Sequence, residues 1–228
     1  MWQPVVAALA RSRHLVAFDH RGHGRSPVPE GPYEIADLGG DVLALLDRLN
    51  LERVSYAGVS LGAMVGLWLA AHAPQRIERL ICICGAAHLP PAAAWAQRAA
   101  RVRAAANVAV VADAVLERWF TPAYATAHPD IVEWVGAMLR NSPPEGYAAC
   151  CGAIERMDLR GDLPRIVAPT LAVGAAEDRA IVPAHAAAIA AAVPGARLTV
   201  LAHGAHLAPI ECAAEVTDLI DDHLEAPG

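Results

Sequence analysis

The sequence predicts an α/β protein with a mostly parallel sheet and an inserted helical cap. In residues 1–85 and 169–228, short apolar stretches of strand composition alternate with helical stretches, the order that strand–helix–strand units produce. Between them, residues 86–168 contain helical patterns and no convincing strand. A G-x-S-x-G turn, Gly58–Gly62, connects one predicted strand to a helix. We therefore expect a core in two segments, 1–85 and 169–228, and a cap at 86–168.

The predicted strands are short and apolar or β-branched, and the helices have apolar residues at helical spacing. Strands are predicted at His14–Phe18, Arg53–Ala57, Arg79–Cys84, Thr170–Gly174 and Arg197–Leu201. Core helices are predicted at Trp2–Ala10, Ile35–Leu49, Leu61–His72 and Glu211–His223. Cap helices are predicted at Ala92–Ala106, Val108–Trp119, Pro129–Arg140 and Glu145–Met157.

The composition argues against several classes of partner. The formal net charge is −6 and no basic block occurs, so we expect neither nucleic acid nor an anionic membrane surface as a partner. No apolar run reaches the roughly 18 residues of a membrane span, and in the first segment the arginines follow the apolar run, the reverse of a secretory signal. The five cysteines have no metal-ligand spacing and predict small buried side chains in a reducing compartment. We therefore expect no metal and a cytoplasmic location.

Ser60 is the candidate nucleophile. In Gly58-Val59-Ser60-Leu61-Gly62 a sharp turn between strand and helix would present the serine at the edge of a sheet, with glycines where side chains would collide with neighbouring elements. The backbone N–H of Leu61 lies at the start of the helix and is the candidate oxyanion donor. The alternative is an ordinary serine in a glycine-rich turn.

A serine hydroxyl needs a base within hydrogen-bond reach and a carboxylate that orients the base. His206 lies in the loop after the last predicted strand and is the preferred base, with His203 as its rival. Asp178, after the strand that ends near Gly174, is the preferred acid, and we expect the adjacent Glu177 to point elsewhere. The order serine, acid, histidine is the one found with this type of serine turn. The alternative for both carboxylates is that they are ordinary loop charges.

These motifs resemble a known family. The stretch D-x-R-G-x-G-x-S at Asp19–Ser26, the G-x-S-x-G turn, the helical cap and the late Gly-Ala-His together resemble the α/β-hydrolase fold family. Three cap segments, residues 114–122, 143–151 and 157–160, are more narrowly similar to the 3-oxoadipate enol-lactonases of the β-ketoadipate pathway. In the Asp19–Ser26 stretch itself, His20 and His23 are interpreted as structural.

The resemblance implies hydrolysis of 3-oxoadipate enol-lactone to 3-oxoadipate, with Ser60, Asp178 and His206 as catalytic triad and without cofactor or metal. A substrate that carries a carboxylate favours an arginine in the cap, and Arg118 and Arg140 are the candidates. Trp119 would either line the substrate pocket or pack in the cap interior. The implied partner is a small lactone or ester.

The resemblance also implies elements before Met1. The family's first strands and the loop with a second oxyanion donor would lie there, and one of those strands would stand between His14–Phe18 and Arg53–Ala57. We therefore expect Met1 to be a misplaced start or a truncation. Two other functions stay open: a small-ester esterase of the same fold, and a non-catalytic remnant that lacks the second donor.

Overall fold

Four parallel strands form the sheet in the computed structural model, which describes residues 1–226. Pro227 and Gly228, at the end of the predicted second core segment, lie outside the described residues. The strands are β1 (Val54–Val59), β2 (Ile77–Ile83), β3 (Thr170–Ala175) and β4 (Arg197–Leu201), in the spatial order β1-β2-β3-β4. Four of the five predicted strands and the α/β fold class are thereby confirmed.

The fifth predicted strand, His14–Phe18, is wrong. Residues 14–20 have no strand conformation, although their composition favours one. A strand exists only when its backbone groups pair with a neighbour, and within the described residues this segment belongs to no sheet. Val16 and Phe18 are accordingly 41% and 37% exposed. The apolar pattern therefore did not predict the structure here, because within the described residues no neighbouring strand pairs with this segment.

The helices are close to their predicted bounds, with two differences. Around the sheet lie α1 (Gln3–Leu9), α2 (Ile35–Arg48), α3 (Leu61–His72), α9 (Ala184–Ala192), α10 (Ala208–Glu211) and α11 (Ala213–Glu225). Between β2 and β3 lie α4 (Ala92–Ala105), α5 (Ala109–Trp119), α6 (Pro122–Ala127), α7 (Pro129–Arg140) and α8 (Pro144–Arg156). The predicted helix Glu211–His223 is divided at Cys212, and the short α6 had not been predicted.

Helix α6 has a clear local cause. Pro122 occupies its first turn, where a missing N–H costs nothing, and the hydroxyl of Thr121 accepts a hydrogen bond from the N–H of Tyr124 at 3.1 Å. The helix has only 6 residues, too few for its apolar periodicity to be read from the sequence.

The sheet is covered on both faces. Buried residues of α2, α3 and α9, such as Leu38, Met64 and Ile189, form one apolar layer. Helices α1 and α11 cover the opposite face with Val5 and Ile220. Both strand faces are therefore buried, which explains why β3 is apolar at every position after Thr170 rather than alternating.

The cap contacts the core by a close backbone approach. A Cβ built on Gly146, in α8, would lie 2.4 Å from the Cα of Gly22. Gly22 itself has φ +75°, a left-handed conformation that glycine adopts without strain. The turn at Asp19–Ser26 is thus a docking point for the cap. Within residues 1–226 there is no helix with the length and apolar character that crossing a membrane requires.

Candidate active site

The candidate residues follow three of the four strands, at one edge of the sheet. Ser60 follows β1, Asp178 follows β3 and His206 follows β4, and the carboxyl ends of parallel strands share one edge. Backbone hydrogen bonds continue past the strand ends: the N–H of Ser60 donates to Ile83 O at 2.9 Å, and the N–H of Glu177 donates to Gly204 O at 3.1 Å. The loops that carry Ser60 and Asp178 are therefore held in place by backbone hydrogen bonds to neighbouring segments.

Ser60 has a strained backbone. Its φ of 55° and ψ of −118° lie outside the regions that residues with a Cβ normally adopt. The N–H of Met64 donates to Ser60 O at 3.1 Å, so α3 begins directly after the serine. Such strain concentrates at functional positions because surrounding packing must maintain it. The side chain is partly exposed, as attack on a substrate requires.

The two glycines around Ser60 differ in their packing. A Cβ on Gly58 would lie 2.3 Å from the carbonyl carbon and oxygen of Gly62, so position 58 admits no side chain. A Cβ on Gly62 would meet only His20 Nε2, at 3.8 Å, which is ordinary contact. The prediction that both glycines avoid collisions is confirmed at Gly58 and wrong at Gly62, because the first turn of α3 leaves space beside that residue.

Asp178 and His206 form a buried hydrogen-bonded pair. His206 Nδ1 and Asp178 Oδ2 are 2.8 Å apart, and both residues are at most 3% exposed. The other carboxylate oxygen accepts the backbone N–H groups of Ala180 and Ile181 at 2.7 and 2.9 Å. With its carboxylate fixed at both oxygens, Asp178 can hold the imidazole in one orientation, with Nε2 as the ring nitrogen free to accept a proton.

The two rivals lie elsewhere. His203 is exposed, and its carbonyl oxygen accepts a bond from Cys212 Sγ at 3.3 Å. Glu177 is exposed as well, and the loop is held through its backbone rather than its side chain. Burial, rather than residue type, separates each candidate from its rival: Asp178 and His206 are buried, whereas Glu177 and His203 are exposed.

The N–H of Leu61 is placed to act on an anion. Leu61 is the first residue of α3, so its N–H belongs to the first turn, where backbone donors have no acceptor within the helix. The positive end of the helix dipole lies at the same point. A negative charge that develops beside Ser60 would therefore meet a donor that needs no rearrangement.

Trp119 lies beside the histidine. Its ring is 6.3 Å from the ring of His206, centroid to centroid, at an interplanar angle of 26°. The carbonyl oxygen of Trp119 accepts the N–H of Leu207 at 3.0 Å. The residue also packs in the cap, against the cluster that contains Val115. Packing in the cap, one of the two alternatives for Trp119, is thus observed, and its role as a pocket wall stays a prediction.

The two candidate arginines differ in their partners. Arg140 is bound by Glu133 at 2.6 Å and approaches Asp113 at 3.9 Å. This pairing makes Arg118 the preferred candidate of the two, because the charge of Arg140 already has acidic partners on the cap surface. Arg118 donates from Nε to Ala114 O at 3.0 Å and is in no ion pair within residues 1–226.

Arg118 stands in a positive neighbourhood. Burial lowers the pKa of its guanidinium, and the charges of Arg98 and Arg179 lower it further. Arg98 lies 4.5 Å from the ring centroid of Trp95, and Arg179 donates to the carbonyl of Glu117. An anion bound here would relieve this repulsion. The sequence did not identify Arg98 or Arg179, because only the tertiary arrangement brings α4, α5 and the loop after β3 together.

Cys84 is a further neighbour that the sequence did not single out. Its sulfur, an Asp178 oxygen and a His206 nitrogen lie within 4.8 Å of one another, a spacing that is close enough for a shared metal ion. Burial raises the pKa of the Cys84 thiol well above its usual range, with the Asp178 charge adding to the effect. A neutral thiol is a weak ligand, and Asp178 and His206 already bind each other. These residues therefore fit an acid–base pair better than a metal site.

His20 and His23 are in partly buried surroundings. Burial lowers the pKa of His20 to about 4, and burial lowers the pKa of His23 as well. His23 Nδ1 lies 3.3 Å from Arg21 O, and Arg21 forms two bonds of 2.5 and 2.6 Å with Asp41. These contacts maintain the turn, in agreement with the structural role predicted for it.

Comparison with known proteins gives consistent results. A family model described as alpha/beta hydrolase fold matches residues 1–212. The chain is 40% identical over 178 residues to 3-oxoadipate enol-lactonase 2 of Acinetobacter baylyi, an alignment that covers 78% of this chain and 66% of that protein. The matched part thus spans slightly under two thirds of that curated relative's length.

Two solved structures are similar over almost the whole chain. The enol-lactonase from Burkholderia xenovorans LB400 has a TM-score of 0.96 and 38% identity, covering 99% of this chain and 86% of that one. A hydrolase from Pseudomonas aeruginosa has a TM-score of 0.94 and 41% identity, with coverages of 99% and 84%. The arrangement of strands and cap helices described above is therefore shared with these proteins.

Proposed function

Since this chain belongs to the alpha/beta hydrolase fold family, we propose that it is a serine hydrolase that opens 3-oxoadipate enol-lactone to 3-oxoadipate. The observation that carries the proposal is the buried Asp178–His206 pair at 2.8 Å, at the sheet edge where Ser60 directly precedes α3. The similarity to two proteins named enol-lactonase supports the choice of lactone.

The first half-reaction is acylation. Ser60 Oγ attacks the lactone carbonyl carbon while His206 Nε2 takes the hydroxyl proton, and Asp178 stabilises the imidazolium. The carbonyl oxygen becomes an oxyanion that the Leu61 N–H can bind. The ring C–O bond then breaks, and the leaving oxygen departs as an enolate, which takes the proton held by His206 and becomes a ketone, so that His206 is neutral again. Enolates are weak bases compared with alkoxides, so this bond breaks easily.

The second half-reaction releases the acid. A water molecule gives its proton to His206 and attacks the acyl carbon, the Ser60 ester bond breaks, and the proton returns to Ser60 Oγ. The product has two carboxylates, one of them already present in the lactone. We assign that pre-existing carboxylate to Arg118, because Arg118 is in no ion pair within residues 1–226 and lies in the positive field of Arg98 and Arg179.

The direct test is loss of the enol-lactone absorbance with purified protein. We expect turnover by the wild type and a loss of at least about a thousandfold in kcat for Ser60→Ala, the scale on which removal of a triad member acts. A fluorophosphonate probe should label Ser60 in the wild type. Normal turnover by Ser60→Ala would contradict the mechanism, and a chain that neither labels nor turns over would be a non-catalytic protein of this fold.

The substrate assignment has its own test. Arg118→Gln should reduce kcat/KM for the anionic lactone by about tenfold or more, since it removes hydrogen bonds to a charged group. It should leave neutral short-chain esters nearly unaffected. Arg140→Gln is the matched control, because its charge is compensated by Glu133. A small-ester esterase would instead prefer the neutral esters and respond equally to both substitutions.

A further inference from the structure

Glu211, at the end of α10, connects the cap to the loop that carries His206. Its Oε2 accepts the backbone N–H of Ala205, the residue before His206, at 3.1 Å. The same oxygen accepts the N–H of Thr121 at 3.3 Å, and the Thr121 hydroxyl bonds to Oε1. One carboxylate thus receives donors from two segments that are 84 residues apart in the chain, since 205 − 121 = 84.

On the cap side of this contact, Thr121 is buried and the neighbouring backbone is hydrogen-bonded. Thr121 is 6% exposed and also caps α6 by accepting the N–H of Tyr124 at 3.1 Å. Two residues earlier, Trp119 O accepts the N–H of Leu207. The residues on either side of His206 are therefore both bound to the same cap segment, Ala205 through Glu211 and Leu207 directly.

We propose that Glu211 is a positioning residue that fixes the His206 loop against the cap through Ala205 and Thr121. The proposal rests on the proposed function, because it assigns to this contact the placement of the general base. The catalytic atoms do not touch Glu211, so it acts through the backbone on which His206 is carried. Displacement of an imidazole by even a fraction of a bond length lowers the rate of proton transfer.

The contact requires a carboxylate rather than an amide. Three donors, two backbone N–H groups and one hydroxyl, point at its two oxygens, and an ionised carboxylate has enough lone pairs for all of them. In Glu211→Gln one oxygen becomes an NH2 group that faces a donor. The variant keeps the shape of the side chain but loses part of the hydrogen bonding, so it tests the hydrogen bonds separately from the packing.

The first measurement is amide hydrogen exchange on the full chain. We expect Glu211→Gln to increase the exchange rate of peptides that contain Ala205 and Thr121 by about tenfold, the factor for one lost charge-assisted bond. Glu215→Gln, at an exposed glutamate one turn further on, is the matched control. Unchanged exchange in Glu211→Gln would overturn the proposed contact, whether or not the chain is an enzyme.

The second measurement is catalytic. Glu211→Gln should lower the rate of Ser60 labelling by fluorophosphonate, and the kcat for a small neutral ester, by about tenfold, with KM little changed. Thr121→Val should act similarly, and the double variant should be no slower than the slower single variant, because both remove the same contact. Thr121→Ser keeps the hydroxyl and should recover most of the rate.

The outcomes separate the two proposals. Faster exchange in Glu211→Gln together with a wild-type labelling rate would show that the contact does not position His206, and would overturn the inference. Additive losses in the double variant would overturn it also. A wild type that is inert to both probe and substrate would overturn the proposed function and the catalytic role of Glu211, while hydrogen exchange would still decide whether the contact itself exists.

Discussion

His20 packs as a neutral imidazole beside the serine turn. Its ring meets the ring of Phe18 edge-on, with centroids 5.1 Å apart, and its Nε2 lies near the first turn of α3 at Gly62. Burial lowers its pKa to about 4, and the nearby His23 acts in the same direction, whereas Asp41 and Asp19 oppose the shift. The turn is thus more stable when His20 is uncharged.

This predicts a specific pH dependence of stability. The folded state binds the His20 proton less tightly than the unfolded state, so stability is fully present above pH 6.5 and is lost as the pH falls toward 4. The full loss amounts to about 3 kcal/mol. In His20→Gln the fall in the free energy of unfolding over this range should be smaller by a similar amount, as measured by urea denaturation at several pH values.

His14→Gln, at an exposed position, is the control and should follow the wild-type pH profile. An identical slope in wild type and His20→Gln would show that His20 is not kept neutral by its surroundings.

A single functional residue could be predicted from the sequence when a short segment around it carries a recognisable pattern. Ser60 was recognisable because its turn has a local pattern, and Asp178 and His206 because each follows a strand. Arg118 and Arg140 could not be separated, because the pairing of Arg140 with Glu133 and Asp113 depends on how α7 packs. Glu211 gave no signal, since its three donors come from distant parts of the chain.

Helix α2 contains two adjacent glycines in opposite environments. A Cβ on Gly39 would lie 2.1 Å from the indole of Trp68, whereas a Cβ on Gly40 would meet nothing within 4 Å. Trp68 is held in turn by stacking on His72, with ring centroids 4.8 Å apart. Gly39 therefore permits the close approach of α2 to α3, and Gly40 only adds backbone freedom to the unfolded chain.

The two positions should respond to alanine with opposite sign. Gly39→Ala should lower the free energy of unfolding by about 1–3 kcal/mol, the usual cost of an overpacked core. Gly40→Ala should raise it by about 0.5–1 kcal/mol, the difference in helix propensity. Denaturation of both variants under the same conditions checks this, and equal effects at the two positions would contradict the packing described for α2.

At the level of elements, regular patterns predicted regular structure. The strands β1 to β4 were recognised as short apolar segments. The long helices were recognised because their apolar spacing repeats over several turns. The prediction of a strand at His14–Phe18 failed because a strand needs a partner. Helix α6 was missed because it has start signals, Thr121 and Pro122, but only 6 residues, too few to show a periodic pattern.

The first helix is joined to the last by two kinds of contact. Leu9, in α1, is 6% exposed and belongs to the apolar cluster that includes Val216 and Ile220 of α11. Just after α1, Arg13 forms ion pairs with Asp221 at 2.6 Å and Glu225 at 3.2 Å, whose side chains are 42% and 74% exposed. Charges this exposed are strongly hydrated, so the apolar contact should dominate.

Leu9→Ala should therefore destabilise the whole molecule by about 2–4 kcal/mol through cavity formation and lost burial. Arg13→Ala should cost less than about 1 kcal/mol, and that cost should fall further as salt is added. Thermal or urea unfolding of the two variants at low and high ionic strength measures both. A larger loss from Arg13→Ala would mean that ion pairing fixes the terminal helices to each other.

The left-handed peptide unit at Ser60 sets a limit on the molecule as a whole. Glycine alone would occupy that conformation at no steric cost, so a chain selected only for heat resistance would tend to exchange its nucleophile for glycine. Directed evolution for heat resistance should therefore also select for activity in every round. The backbone conformation of Ser60 that makes the chemistry possible also lowers the melting temperature.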